Sequence, residues 1–399
     1  MLGNIEDTCS PTIYSLYHGS HYQILMRKVV LNNIWSKVQR RLGYYPTPVI
    51  THKQGRLDPY QSALTFVVVC GSSFDQTVPN AGTMARMGIC RGFEQLGIPY
   101  LLLSVFELEH RLPELTKPIC WISGWDYLYL NRANLAALRK SLHIVWVNTW
   151  FLGERYFYKQ KNLLDQSCPQ NLNQKILSSE PAFVFTISPE CSFEYYELWR
   201  QHGARLVSLP LACDTTLYQS NSIDYPEFVN VEMAFVGGYW PYKAQQFDRY
   251  LKPYQDHLTV FGYSKWPYAG YGGQLAEYKE PSLYRQARLS PTINEPHVEQ
   301  MGVDLNERVF KVLGSGGMTV TDATAAYREW FSADELLVPS TLDEYHQMLQ
   351  QVLEDEELNQ YYRKTGHAAV LAKHTYMERA SKIIKILDLE NMALGKVKY

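Results

Sequence analysis

No apolar run in this 399-residue chain approaches the roughly 18 residues that a membrane-crossing helix needs, and the N-terminus has no hydrophobic signal-peptide region. Charge of one sign is also scarce: the formal net charge is −2, so nothing in the balance calls for a nucleic-acid partner. The seven cysteines, at 9, 70, 90, 120, 168, 191 and 213, contain no CxxC pair, which argues against a zinc site and for reduced thiols in a cytoplasmic protein. No Gly-Lys-Ser/Thr follows a glycine-rich run, which excludes a Walker phosphate loop. No GxGxxG opens a helix after either candidate first strand, so a nicotinamide-dependent oxidoreductase loses its main signature.

What the chain does have is apolar material arranged in alternation. At 46% hydrophobic and 20% charged it is globular, and its length fits two cores better than one. Apolar, β-branched runs predict strands over 64–70, 98–104, 119–122, 143–147, 183–187 and 205–209, with helices over 83–96 and 131–141 between them. That order implies a parallel sheet covered on both faces. A polar, turn-rich stretch over 212–230 marks a boundary, after which the alternation resumes. Strands are expected over 232–237, 258–262, 288–293, 318–321 and 336–338, and helices over 242–251, 281–287, 305–313, 342–364 and 375–388. The longest of these has a Thr341/Glu344 capping box and Gly366 as its expected stop. Residues 1–60 are a basic preface: seven Lys/Arg lie between Arg27 and Arg56, and 22–41 has helical spacing. Two readings of this extension stay open, a helix packed on the main body or a peripheral membrane contact through residues 20–42.

The stretch from Ser290 to Asp322 is the most informative. A strand empties through a polar loop into a helix, and Asp304 with Glu307 has capping-box spacing, which places the helix start there. Gly314, Ser315, Gly316 and Gly317 end that helix, and a buried strand follows. A helix N-terminus at the carboxyl end of a strand is where α/β proteins hold phosphates. An ordinary helix-to-strand connection with a glycine cap is the alternative.

Asn306-x-Arg308-x-Phe310-x-Val312-Leu313-x-Ser315-Gly316-Gly317 closing on Thr321-Asp322 resembles the C-terminal half of CgeB-like glycosyltransferases of the GT-B fold. His374-Thr375-Tyr376-x-x-Arg379 is similar to that family's HTYxxR ending. Ala234-Phe235-Val236-Gly237-Gly238-Tyr239 with Lys243 resembles its first strand and loop, and Leu209 to Asp214 resembles the LPxGxD crossing between GT-B halves. The resemblance implies an α/β fold of two Rossmann-like domains facing a cleft, with an N-terminal helical extension. The expected division is 1–60 for the extension, 61–225 for the acceptor side, 226–373 for the nucleotide-sugar side, and 374–399 for a helix crossing back.

The implied reaction moves a sugar from a nucleotide-diphosphate donor, a UDP- or GDP-sugar, to a glycan, lipid-linked or protein acceptor, with no bound cofactor. The departing diphosphate requires fixed positive charge. The chain has no DxD motif, and the resemblance implies cationic side chains and helix N-termini in place of a metal. Lys243, placed in the loop after strand 232–237, and Arg308, in the first turn of helix 305–313, fit that role. Gly237 and Gly238 would admit close backbone approach. Asn294, Asn306 and His297 are candidate donor contacts, against ordinary readings as caps and an exposed loop histidine. Where the family has glutamate as ribose acceptor this chain has Lys311, which cannot accept a hydrogen bond while protonated; Glu307, one turn earlier, can pair with Lys311 or take over. Lys311 therefore motivates a second hypothesis, a catalytically silent GT-B module binding a glycan or protein partner. On the acceptor side, Asp75 is the candidate general base, with Asn148, Thr149 and Asp126 as further cleft residues.

Overall fold

The structure, a computed structural model, describes residues 53–70, 81–151, 170–218 and 223–389. The expectations for Asp75, for residues 20–42 and for the chain beyond 389 lie outside them. Seven strands form the first sheet: β1 (Lys53–Gln54), β2 (Thr65–Cys70), β3 (Tyr100–Ser104), β4 (Pro118–Ser123), β5 (Leu142–Val147), β6 (Phe183–Thr186) and β7 (Leu206–Ser208). They run in the order β1-β3-β2-β4-β5-β6-β7. All pairings are parallel except β1 with β3. Phe66 and Val68 enter one core and Val67 and Val69 the other, so β2 is wholly buried and shows no polar alternation. The strand Lys53–Gln54 departs from the expected helical character of 1–60: these residues cover the sheet's outer edge.

The second sheet is sparser. β8 (Met233–Val236) and β9 (Leu258–Phe261) pair in parallel. The chain near Leu289, Thr292, Val320, Thr321 and Leu337 continues the sheet through isolated parallel bridges, where three further strands were expected. Backbone bonds such as Ala234 N to Leu289 O at 2.9 Å and Thr292 N to Val320 O at 3.0 Å hold that order.

The helices that matter for the site are α1 (Ala81–Gln95), α2 (Arg132–Arg139), α3 (Pro241–Tyr250), α4 (Glu280–Gln286), α5 (Pro296–Met301), α6 (Glu307–Gly314), α7 (Leu342–Glu354), α8 (Glu356–Lys373) and α9 (Tyr376–Ile386). Asn306, not Asp304, caps α6, its side chain accepting from Arg308 N at 3.0 Å. The local spacing of 304 and 307 was misleading because Asp304 is claimed by partners distant in sequence. At its other end α6 closes on Gly316, whose φ of 76° is the left-handed conformation glycine favours. The expected single helix 342–364 is two: Thr341 caps α7, and Asp355 both ends it and caps α8 through Leu358 N at 3.0 Å. Gly366 lies inside α8, where a Cβ would come within 2.7 Å of the Leu313 side chain, so it serves close packing and not termination.

α9 lies against α1 on the first sheet's face, with Tyr376, Ala380 and Ile383 in the same core as Ala85, Ile89 and Phe93. Gly88 and Gly92 of α1 leave the room, since a Cβ on either would collide with Tyr376. No described helix is long and apolar enough to cross a membrane.

Candidate functional site

The carboxyl ends of β8 and β9 and the starts of α3, α4 and α6 enclose a cavity of about 320 Å³. Gly237, Gly238, Lys243, Asn306, Glu307, Arg308 and Lys311 all line it, and Met84 of α1 closes it from the side of the first sheet. Gly237 is held close: a Cβ there would sit 2.9 Å from Arg308 Nη2. The other wall carries Trp240, Tyr263, Glu280 and Glu295, none of which the sequence marked.

The expectation of a positive pocket needs correction. Lys243, Arg308 and Lys311 face Glu277, Glu280, Glu295 and Glu307, so carboxylates outnumber cations on the lining. Burying an ammonium without a partner is costly, and two of the three have partners. Lys243 lies in the first turn of α3, not in the preceding loop, and its Nζ is 3.3 Å from Glu295 Oε1. Burial pulls Lys243 below the ordinary lysine range, only partly offset by Glu295. Lys311 Nζ lies 3.3 Å from Glu307 and 3.9 Å from Glu280. Burial alone would lower Lys311, but the two carboxylates outweigh it and hold it above its ordinary value.

Arg308 makes no ion pair with Glu307. Its Nε and Nη2 donate to Val236 O at 3.2 and 2.6 Å, and its guanidinium rests 4.0 Å over the Phe235 ring. Nη1 is buried and has no hydrogen-bond partner among the described residues. Arg308 lines the cavity, and the Tyr284 side chain on the same lining interacts with its guanidinium.

Other expected site residues are elsewhere. Asn294 is buried away from the cavity, bonding Asp322, Thr324 and Tyr327 to tie the β8-side sheet to the segment after it. Asp126 pairs with Arg86 at 2.9 Å, and Asn148 lies half-buried beside β5, outside the cavity lining. His297, expected as a donor contact or an exposed loop histidine, and Thr149, expected on the acceptor side, instead meet each other: Thr149 Oγ1 and His297 Nε2 are 3.1 Å apart. Thr149 Oγ1 donates to Asp304 at 2.9 Å, and Ser188 Oγ donates to the other oxygen of Asp304 at 2.7 Å. With its hydrogen committed, Thr149 accepts from His297 Nε2, leaving Nδ1 to accept from the Tyr242 hydroxyl at 3.0 Å. Burial drives His297 down to about 4, consistent with this neutral form.

Asp304 thus joins the ends of β5 and β6 to the segment before α6. Burial pushes its pKa up to about 6, against the Ser188 and Thr149 hydrogen bonds that favour the ionised form. A carboxyl with a raised folded-state pKa binds its proton more tightly folded than unfolded, so its contribution falls as pH rises from about 4 through 6. Asp304→Asn is expected to gain on the wild type by about 2 kcal/mol between pH 4 and pH 7. Urea denaturation of both proteins at the two pH values measures it, and an unchanged difference would show that Asp304 does not titrate in this window.

Among the described residues no group of three or more His, Cys, Asp or Glu side chains could hold a metal ion. The five cysteines there are free thiols.

Comparison with known proteins fits this geometry. Residues 243–385, which contain most of α3, all of α6 and much of the cavity lining, match a family model described as glycosyl transferase-like. None of the curated proteins compared matches the chain. Among solved structures, the Anabaena protein HepE in complex with UDP and glucose superposes with a TM-score of 0.54 at 11% identity, over 81% of this chain and 99% of that one. The DNA-modifying enzyme β-glucosyltransferase, solved with and without uridine diphosphoglucose, gives 0.51 at 10% identity over 82% and 100%. An E. coli trehalose-6-phosphate protein bound with UDP-2-fluoro glucose gives 0.52 at 10% identity over 82% and 98%. At such identities the likeness is one of fold: the chain has the GT-B α/β architecture.

Proposed function

We propose that this protein is a glycosyltransferase that takes a sugar from a UDP-sugar, with the cavity at the ends of β8 and β9 as the donor site. One observation carries this: the buried, unpartnered Nη1 of Arg308 beside Lys243 on a cavity wall. A buried cationic donor without an acceptor is costly, and an anion in the cavity would satisfy it. The match over residues 243–385 and the UDP compounds bound by proteins of similar fold support reading that anion as a nucleoside diphosphate. In this reading the diphosphate accepts from Arg308 and competes with Glu295 for Lys243, which stabilises the leaving group without a metal. Residues 226–373 form the donor side, 61–225 the acceptor side, and the acceptor is a glycan, a lipid-linked sugar or a protein. Membership of the CgeB-like group belongs to the same proposal.

Thermal shift with UDP, GDP, ADP and dTDP tests it. UDP should raise the melting temperature, and Lys243→Ala, in protein shown to be folded, should abolish the shift. Four nucleotides without effect on folded wild type would end the donor-site assignment. A second reading, a silent GT-B module, is favoured by the excess of carboxylates in the cavity. UDP binding with neither transfer nor hydrolysis of a UDP-sugar selects it.

A further inference from the structure

His297 stands between the cavity and the buried cluster around Asp304. Its ring is 4% exposed and meets a hydroxyl at each nitrogen, Thr149 at Nε2 and Tyr242 at Nδ1. Two residues before it, Glu295 lines the cavity, and Lys243 Nζ lies 3.3 Å from that carboxylate. Lys243 from α3 and Glu295 from its own segment both act on the ring, and Asp304 is one hydroxyl away through Thr149. Beyond Asp304 the Tyr196 phenol bonds Ser188 at 2.9 Å. Glu299, further along α5, is engaged by Gln246, Arg249 and Tyr250 of α3. On the cavity lining four carboxylates already face three cations.

We propose that His297 takes up a proton when a donor diphosphate binds, replacing Lys243 as the cation that answers Glu295. A dianion drawing Lys243 toward itself strips Glu295 of its ion-pair partner, and a partly buried carboxylate left alone is costly. Glu280 and Glu307 keep Lys311, so the missing charge is needed at Glu295. The neutral, ionisable ring beside it is His297. Burial holds that ring down to about 4, with Glu295 pulling it up and Lys243 pushing it down. Engaging Lys243 with phosphate weakens the push and leaves the pull, so the ring becomes more basic on binding. The charged ring fits where it is. Nε2–H still donates to Thr149, and the new Nδ1–H bond points at the Tyr242 oxygen, whose hydroxyl turns from donor to acceptor. The proton comes from solvent and no other bond breaks. His297 is thus a positioning residue, acting on the donor through Glu295 and Lys243. Because its pKa is higher in the complex, binding should tighten as pH falls from neutrality toward the free-state value.

This inference rests on the donor-site reading and deepens it. Titration calorimetry with UDP-glucose, whose diphosphate diester does not itself titrate near neutrality, counts the protons. It is run at about pH 6 in MES and in bis-Tris, whose ionisation enthalpies differ. Wild type is expected to take up a large fraction of one proton. Its affinity should rise as pH falls from about 7 to 5, approaching the one-proton limit of about tenfold per pH unit. His297→Gln, which keeps a neutral hydrogen-bonding side chain, should bind without uptake and with a flat pH profile. If that variant does not fold, nitrogen NMR of histidine-labelled wild type reads the same event. One of the eleven histidine rings should then pass from neutral to doubly protonated when UDP-glucose is added. Asp304→Asn separates out the neighbouring carboxyl, and uptake should persist in it. Binding without uptake in wild type, uptake undiminished in His297→Gln, no ring gaining charge, or uptake lost in Asp304→Asn alone overturns this proposal only. If UDP-glucose does not bind, UDP replaces it, because its terminal phosphate titrates alike with wild type and variant. Failure of both to bind folded wild type overturns the donor-site reading and this proposal with it.

Discussion

Arg308→Ala is expected to lower turnover of a UDP-sugar by about 10²–10³-fold, the usual cost of removing one donor aimed at developing charge. The size follows from where the guanidinium is held. Two of its nitrogens are committed to Val236 O, and its face is fixed on Phe235, so Nη1 has little freedom to reorient when an anion enters. That preorganisation is lost in alanine. Some stability goes too, since the Val236 carbonyl is left without its donors, a loss of about 1–3 kcal/mol. Denaturant unfolding measures this separately from activity. Arg308→Lys is expected to fall between the two, because one ammonium cannot grip Val236 O and a phosphate with the same fork geometry. A folded Arg308→Ala protein with wild-type kcat would show that the leaving group departs elsewhere.

The first sheet was legible because its strands are buried on both faces, and long β-branched runs such as Phe66 to Val69 have few other uses. The later strands of the second sheet were legible as apolar runs but form only bridge pairings, a distinction that register and not composition decides. At the site, Lys243 and Arg308 could be placed from their motif, whereas their surroundings could not. Glu295 is 52 positions from Lys243, and Tyr218, 62 positions from Glu280, fixes a carboxylate that lies just before the expected helix 281–287 and was not marked. The unusual Lys311 was the available signal: a lysine in the middle of a helix buried throughout demands carboxylates, and Glu280 and Glu307 answer it. Asp304 failed in the opposite direction. Its capping-box spacing was correct as a local pattern, and Thr149 and Ser188, 155 and 116 positions away, outcompeted it.

Arg379→Ala is expected to destabilise the protein by about 3–5 kcal/mol, because it removes a buried side chain and leaves several acceptors unsatisfied at once. Arg379 Nε donates to Pro210 O at 2.9 Å, Nη1 to Lys373 O at 3.0 Å and Nη2 to Leu211 O at 3.3 Å. It thereby clamps the start of α9 to the crossing segment, next to the parallel bridge between Cys213 and Thr375. No carboxylate faces it closely, and burial pulls even this guanidinium down to about 10, so its value lies in carbonyls and not in an ion pair. Urea midpoints of wild type, Arg379→Ala and Arg379→Lys measure the clamp, and a loss under about 1 kcal/mol in alanine would remove it from the account. The same variant reports on the cavity. Tyr376, three residues before Arg379 on α9, donates to Glu307, so a loosened helix should withdraw that phenol from a carboxylate on the cavity lining. UDP affinity measured well below the melting temperature should then fall along with stability. If stability falls and affinity does not, the HTYxxR segment holds the two halves together without shaping the donor site.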